Sequence, residues 1–224
     1  MGIEEKCSKF CWSRSLGNLT AFIYSFVADN FHPLGDLYRA MAKEALLRLK
    51  SGKILDVGTG TGRLPMEIVK IEKGLEIIGI DISQGMIRSA VQKSMKCCRS
   101  SNLKFLVADV KSLPFDDCVF DLVISSISFH YWKEPVKSLM ELYRVTKEDG
   151  ECWIYDAVAD IEENERKEFV KEYGLLSYLL VRSHISLRYR ELLEIISSLK
   201  LAQSKVILER RGFLFRIRMI KDSC

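Results

Sequence analysis

Two rhythms of hydrophobic and polar positions take turns along this chain. Short apolar runs that stop at turn residues predict buried strands: "KILDV" (53–57), "LEIIGID" (75–81), "LKFLVAD" (103–109), "DLVISSI" (121–127) and "ECWIYDAV" (151–158). Between them, apolar residues recur three and four apart, the spacing of one helix face. "RLPMEIVKIEK" (63–73) places Leu64, Ile68 and Ile71 on one side. In "SQGMIRSAVQKSMKC" (83–97), Ser83 suits the N-cap and Met86, Ala90 and Val91 form the stripe. "EPVKSLMELYRVTKEDG" (134–150) predicts a helix with Pro135 in its first turn and Gly150 past its end. Helical patterns also precede the first strand, over about 15–29 and 33–50. The second carries Leu34, Leu37, Met41, Ala45 and Leu49 as a core-facing stripe.

Strands that alternate with helices predict an α/β fold with a parallel sheet covered on both faces. After residue 158 the rhythm changes. Helical patterns over 160–181 and 187–200 lead into two strand patterns, 203–211 and 213–222, with Gly212 alone between them. So short a link makes that pair antiparallel. The chain is read as one domain over 1–224: N-terminal helices and lid (1–50), core (51–158), lid and substrate helices (159–200), and final strand pair (201–224).

Composition adds limits. The 224 residues are 48% hydrophobic and 29% charged, the balance of a soluble globular protein. A net charge of +4 is too small to argue for a nucleic-acid partner. No apolar run reaches the ~18 residues of a membrane span, and "MGIEEKCSKF" lacks the pattern of a signal peptide. The seven cysteines are odd in number and never spaced C-x-x-C. They are read as reduced thiols in a cytoplasmic compartment. Cys7, Cys11 and His32 are too few to close a structural zinc site, so no metal is expected.

The chemistry gathers at "ILDVGTGTGRL" (54–64), a strand that runs into a glycine turn and then a helix. That arrangement suits nucleotide binding. The dinucleotide fingerprint is missed, however, because the third glycine, Gly62, comes one residue early and Arg63 stands in the expected place. Asp56, just ahead of Gly58, Gly60 and Gly62, would repel a pyrophosphate and attract an ammonium. A ligand with a cation near the loop and a carboxylate for the loop N–H groups is an amino acid, which points to the methionine end of S-adenosylmethionine. Asp81 ends the second strand, where an acid can accept from both ribose hydroxyls. Asp109 ends the third in "VADVKSLPF" and can accept from the adenine amino group. Three acids thus stand at the carboxyl edge of successive strands.

"LDVGTGTGRL", "GIDIS…M" and "ADVKSLPFDDCVFDLVISS" resemble the successive motifs of class I S-adenosylmethionine-dependent methyltransferases, in particular the small-molecule branch of the ubiquinone and menaquinone biosynthesis methyltransferases. The resemblance covers roughly residues 35–158. It implies a Rossmann-like doubly wound seven-stranded sheet, order 3-2-1-4-5-7-6, with an antiparallel final strand. By the same resemblance, Gly58, Gly60 and Gly62 line the methionine moiety with Asp56, and Asp81 holds the ribose. Ile82 and Met86 flank the adenine, Asp109 and the Val110 backbone read its edge, and Ser126 approaches the methionine from the far side.

Methyl transfer from a sulfonium needs alignment and exclusion of water more than strong acid–base help. His130 in "SISFHYWKEP" is the candidate general base, set against the reading of a loop histidine bonded locally. Phe129, Tyr131 and Trp132 are expected at the pocket mouth. His184 is read as a lid or turn residue, and Arg210, Arg211, Arg216 and Arg218 as a solvated strand face. The acceptor is expected to be a small molecule, since no N-P-P-Y turn or Pro-Cys dipeptide follows the fourth strand. The alternatives are a methyltransferase-like module that binds S-adenosylmethionine without turnover, or a partner subunit. A nicotinamide oxidoreductase is disfavoured by Asp56 and the glycine spacing.

Overall fold

Seven strands form one sheet, in the order 3-2-1-4-5-7-6 along its width, in this computed structural model, which describes residues 32–175, 178, 179, 182, 185–199, 201, 204–211 and 213–222. The strands are β1 (Gly52–Val57), β2 (Leu75–Asp81), β3 (Leu103–Val107), β4 (Phe120–Ser126), β5 (Thr146–Ala157), β6 (Ser204–Arg211) and β7 (Leu214–Lys221). The helices are α1 (His32–Arg48), α2 (Arg63–Ile71), α3 (Gln84–Cys97), α4 (Pro135–Val145), α5 (Glu163–Tyr173) and α6 (Tyr189–Ser197). β1 to β5 pair in parallel, and β7 runs antiparallel to both β5 and β6. The expected strand order and antiparallel pair are present. Among the described residues no helix is long and apolar enough to cross a membrane.

The apolar strand runs follow from burial on both faces. In β1, Leu55 and Val57 join a core with Leu139 and Leu142 of α4 and Leu192 of α6. Ile54 points the other way, into a core with Met41, Ala42 and Ala45 of α1 and Leu64 and Ile68 of α2. Of the α1 stripe, Met41 and Ala45 are buried and Leu37 and Leu49 pack at the edge of the core as read, while the Leu34 side chain lies outside the described residues. In α3, Ile87 and Ala90 make the buried face. Ile71 departs from its expected place on the α2 stripe: it ends the helix and is exposed.

Two boundaries differ from the sequence reading. The helix expected over 134–150 stops at Val145, where its apolar face Leu139, Leu142 and Val145 ends. Thr146 caps it in an extended conformation, its hydroxyl donating to the Leu142 carbonyl at 2.7 Å, and residues 146–150 become the first part of β5. A register shift between Phe120 and Leu122 of β4 absorbs this extension. Likewise α5 ends at Gly174, whose φ of 86° breaks the helix expected over 160–181.

Arg210, Arg216 and Arg218 of the strand pair are ion-paired, so the reading of a solvated face is corrected for these three. Arg218 and Arg48 both hold the buried Glu151, through Nε contacts of 2.6 Å each, and Trp153 Nε1 donates to the same carboxylate at 2.7 Å. Arg216 pairs with Glu44 of α1 and Glu209 of β6. Arg210 lies over the Tyr189 ring, 4.9 Å from its centroid. These contacts tie α1 and α6 to the antiparallel edge. The Arg211 side chain, the helix over 15–29, Cys7, Cys11 and His184 lie outside the described residues.

Candidate functional site

The sheet order reverses at β1, which has β2 on one side and β4 on the other, and a crevice opens beyond the carboxyl ends of such strands. Asp56 stands in that position on the face that packs against α1. It is buried, and among the described residues neither carboxylate oxygen has a hydrogen-bond partner. Burial pushes its pKa up to about 7, the nearby Thr59 hydroxyl offsets part of the rise, and the Asp81 charge adds to it. A buried, unpartnered carboxylate is costly unless a ligand supplies the missing donor.

The turn after Asp56 is shaped for close approach. Gly58, Gly60 and Gly62 all have left-handed φ, at 70°, 54° and 79°. A Cβ on Gly58 would lie 2.4 Å from the Ser128 hydroxyl, so only glycine lets the loop after β4 come this near. A Cβ on Gly60 would meet nothing within 4 Å, which leaves the backbone open to a ligand.

Asp81 ends β2 with both oxygens engaged. Oδ2 accepts from the Gly60 N–H at 3.0 Å and Oδ1 from the Ser83 N–H at 2.8 Å. It therefore ties the glycine turn to the start of α3, and each oxygen keeps a lone pair for a further donor. Burial pushes its pKa up against those two bonds. Beside it Ile82 is 71% exposed, unusual for a large apolar side chain over a crevice, and Met86 is half-buried at the first turn of α3. Ser83 caps that helix, accepting from the Met86 N–H at 3.3 Å. Asp109 lies two residues past the end of β3 rather than at it, half-buried in a turn where it accepts from the Lys111 N–H at 2.9 Å. Val110 packs against the edge of the core.

At the end of β4, Ser126 is buried and hydrogen-bonds the Tyr38 side chain. Burial pushes the Tyr38 hydroxyl up to about 12, the Asp56 charge raises it further, and the Arg63 charge and the Ser126 bond oppose the rise. The Asp156 charge also reaches it. Tyr38 therefore lies within the field of acids from two strands. Ile127 then takes a left-handed φ of 52°, a strained conformation for a β-branched residue that costs about 1–3 kcal/mol. The chain turns there, so that Ser128 reaches the glycine loop and His130 reaches β5.

His130 is bound to Asp156 of β5. Its Nδ1 lies 2.9 and 3.0 Å from the two carboxylate oxygens, and its own N–H donates to Oδ2 at 3.0 Å. Both side chains are buried, and His130 Nε2 has no partner among the described residues. Of the aromatic neighbours expected at the pocket mouth, only Tyr131 fits, at 55% exposure. Phe129 is core, edge-on to Phe215 at 6.0 Å, because the single 3₁₀ turn over 129–131 directs it inward, and Trp132 packs on it at 5.1 Å. Two residues beyond Asp156 begins a small, half-open apolar pocket, lined by Val158, Ile161, Phe169, Tyr178, Arg182, Ile185 and Phe213 among others.

Tyr38 and Asp156 are the site residues that sequence reading missed. Asp156 had a signal: a charge inside the apolar run "ECWIYDAV", the same anomaly that singled out Asp56. Tyr38 had none, because it sits one position off an ordinary helix stripe.

The residues present fit S-adenosylmethionine. Among the described residues the Asp56 carboxylate lacks a cationic donor, nothing crowds the Cα of Gly60, whose N–H is held by Asp81, Asp81 has lone pairs left, and Ile82 offers an apolar face. When bound, the donor supplies an activated methyl on a sulfonium. The chain would supply orientation, an apolar surround and, at His130, a proton acceptor.

Comparison with known proteins agrees. Residues 49–194 match the model of a family described as a methyltransferase domain. The ubiquinone/menaquinone biosynthesis C-methyltransferase of Rickettsia prowazekii is 30% identical over 163 residues, 68% of this chain and 65% of that protein. The demethylmenaquinone methyltransferase of Thermus thermophilus is 34% identical over 113 residues, half of each chain. The chain thus spans about half to two thirds of the length of these relatives. Among solved structures, a candidate S-adenosyl-L-methionine-dependent methyltransferase of Methanococcus maripaludis superposes with a TM-score of 0.72 at 20% identity, over 95% of this chain and 97% of that one. That likeness concerns the fold.

Proposed function

The chain belongs to the methyltransferase-domain family, whose cofactor is S-adenosylmethionine, and we propose that it transfers the methyl group of that cofactor to a small-molecule acceptor. The unpartnered Asp56 carboxylate carries this reading. Buried beside an open glycine turn, it suits the ammonium of an amino acid and repels a phosphate. In this reading Asp56 and the backbone of Gly58, Gly60 and Gly62 take the methionine end, with Ser126 opposite. Asp81 takes the ribose hydroxyls, Ile82 and Met86 hold the adenine faces, and Asp109 with the Val110 backbone takes its edge. His130 serves as general base.

The apolar pocket beyond Asp156 favours an acceptor with an apolar portion. The relatives' names direct attention to quinone precursors as one such class. α1 and the segment 159–200 would cover the acceptor, within one domain.

Calorimetric titration of the purified protein with S-adenosylmethionine and, separately, NAD tests the cofactor. The expected result is binding of the first alone, and binding of NAD alone would overturn the reading. Transfer of a labelled methyl is then followed on a panel of reduced demethylmenaquinone, simple phenols, thiols and amines. Cofactor binding with no transfer to any member would favour a binding module without turnover.

A further inference from the structure

We propose that Asp156 is a positioning residue that holds His130 in the tautomer whose Nε2 takes a proton. The proposal rests on the methyltransferase reading and assigns a further residue to it.

The carboxylate of Asp156 is surrounded by donors. Besides the His130 N–H at 3.0 Å it accepts from the Ala157 N–H at 2.7 Å, and both oxygens face His130 Nδ1. The two backbone N–H groups already make its oxygens acceptors, so the hydrogen shared with the imidazole is assigned to Nδ1. That leaves Nε2 as a lone pair. It is buried and has no partner among the described residues. A histidine kept only for packing would have both nitrogens satisfied, since a buried polar atom without a partner is destabilising. The ring is also held in place: Tyr131 lies 4.0 Å from it, centroid to centroid, and the strained turn at Ile127 delivers it to β5.

The chemistry follows from the bare Nε2. His130 Nε2 takes the proton of the acceptor hydroxyl, and the O–H electron pair makes the acceptor nucleophilic. A bond forms from that oxygen, or from the ring carbon conjugated with it, to the methyl carbon. The C–S bond breaks with its electron pair left on sulfur, which becomes a neutral thioether. The imidazolium is balanced by the Asp156 carboxylate. It later releases its proton to water after O-methylation. After C-methylation it returns the proton to the oxygen, and the methylated carbon sheds its hydrogen to water.

Long-range proton–nitrogen NMR on enzyme with labelled histidine reads the tautomer without any acceptor. His130→Gln identifies the resonance. In the unliganded wild type the expected His130 carries its proton on Nδ1, and in Asp156→Asn the proton moves to Nε2. Affinity for S-adenosylhomocysteine should stay within about twofold, as for separate sites. A wild-type proton on Nε2, or an unchanged tautomer in the variant, overturns the proposal. If Asp156→Asn does not fold, the wild-type spectrum decides alone. On the acceptor panel, Asp156→Asn should lower kcat for a hydroxyl acceptor by about 100-fold, the usual worth of a positioned base, with KM for S-adenosylmethionine unchanged. A kcat in Asp156→Asn within about twofold of wild type would overturn the proposal. Failure of S-adenosylhomocysteine to bind the wild type would overturn the methyltransferase reading instead.

Discussion

Asp56 and Glu151 are both carboxylates sunk into the same sheet, and they end in opposite electrostatic states. Glu151 sits between β4 and β7 and meets Arg48, Arg218 and Trp153. Burial alone would raise its pKa, but those three donors bring it down to about 2. Asp56, at the carboxyl end of β1, meets no donor among the described residues and rises to about 7. The difference separates structure from binding. A buried charge whose partners come from α1, β5 and β7 holds elements together. One left bare beside an open turn is, in the proposed reading, left to meet a donor that arrives from outside.

The contrast is tested most severely at Glu151. Replacing it with Ala strands Arg48 and Arg218, and the expected loss is about 3–5 kcal/mol of unfolding free energy by denaturant titration. A loss below that of a surface substitution would remove Glu151 from its structural role.

The two carboxylates should also impose opposite pH slopes. The folded pKa of Asp56 is raised, so its folded form binds a proton more tightly than the unfolded chain. Stability of the unliganded protein from this group is full below the ordinary carboxylate range and is lost as pH rises toward about 7. The total is at most about 4 kcal/mol. Glu151 is lowered, so its contribution is present above its ordinary range and is lost as pH falls toward about 2. Melting temperatures measured from pH 4 to 8 should show the Asp56 slope in the wild type and its disappearance in Asp56→Asn.

That same variant should bind S-adenosylmethionine about 10- to 100-fold more weakly, the value of a hydrogen bond to a charged group. Wild-type affinity should rise with pH up to about 7 as Asp56 ionises, which calorimetry at several pH values would record. An unchanged affinity in Asp56→Asn would place the ammonium elsewhere. The smallest effect is expected at Ile82, where truncation to Ala removes one exposed apolar face. It should weaken cofactor binding by about 1 kcal/mol and leave stability nearly untouched.

Much of this was legible in the chain. The apolar runs marked β1 to β5 because a sheet covered on both faces needs them, and Gly212 made β6 and β7 antiparallel. Asp56 and Asp81 were found as acids where strands give way to turns. The helix over 134–150 was read too long because "TKEDG" is polar and breaks no helical rule locally. Only pairing of Thr146 with Phe120 draws it into β5. The arginines of β7 looked solvated for a similar reason: their partners, Glu44, Glu151 and Glu209, are distant in sequence or across a strand.

The sequence by itself determined the order of elements, the glycine turn and the charge that opens it, since each depends on neighbours within a few residues. Tertiary structure decided which acids stay bare and which are satisfied. It brought Asp156 across the sheet to His130 and set the Tyr38 hydroxyl on Ser126. Those contacts join residues 26 and 88 positions apart, and no local pattern encodes them. A carboxylate's chemistry depends on the donors folded around it, and these come from elements the chain brings together only when the sheet closes.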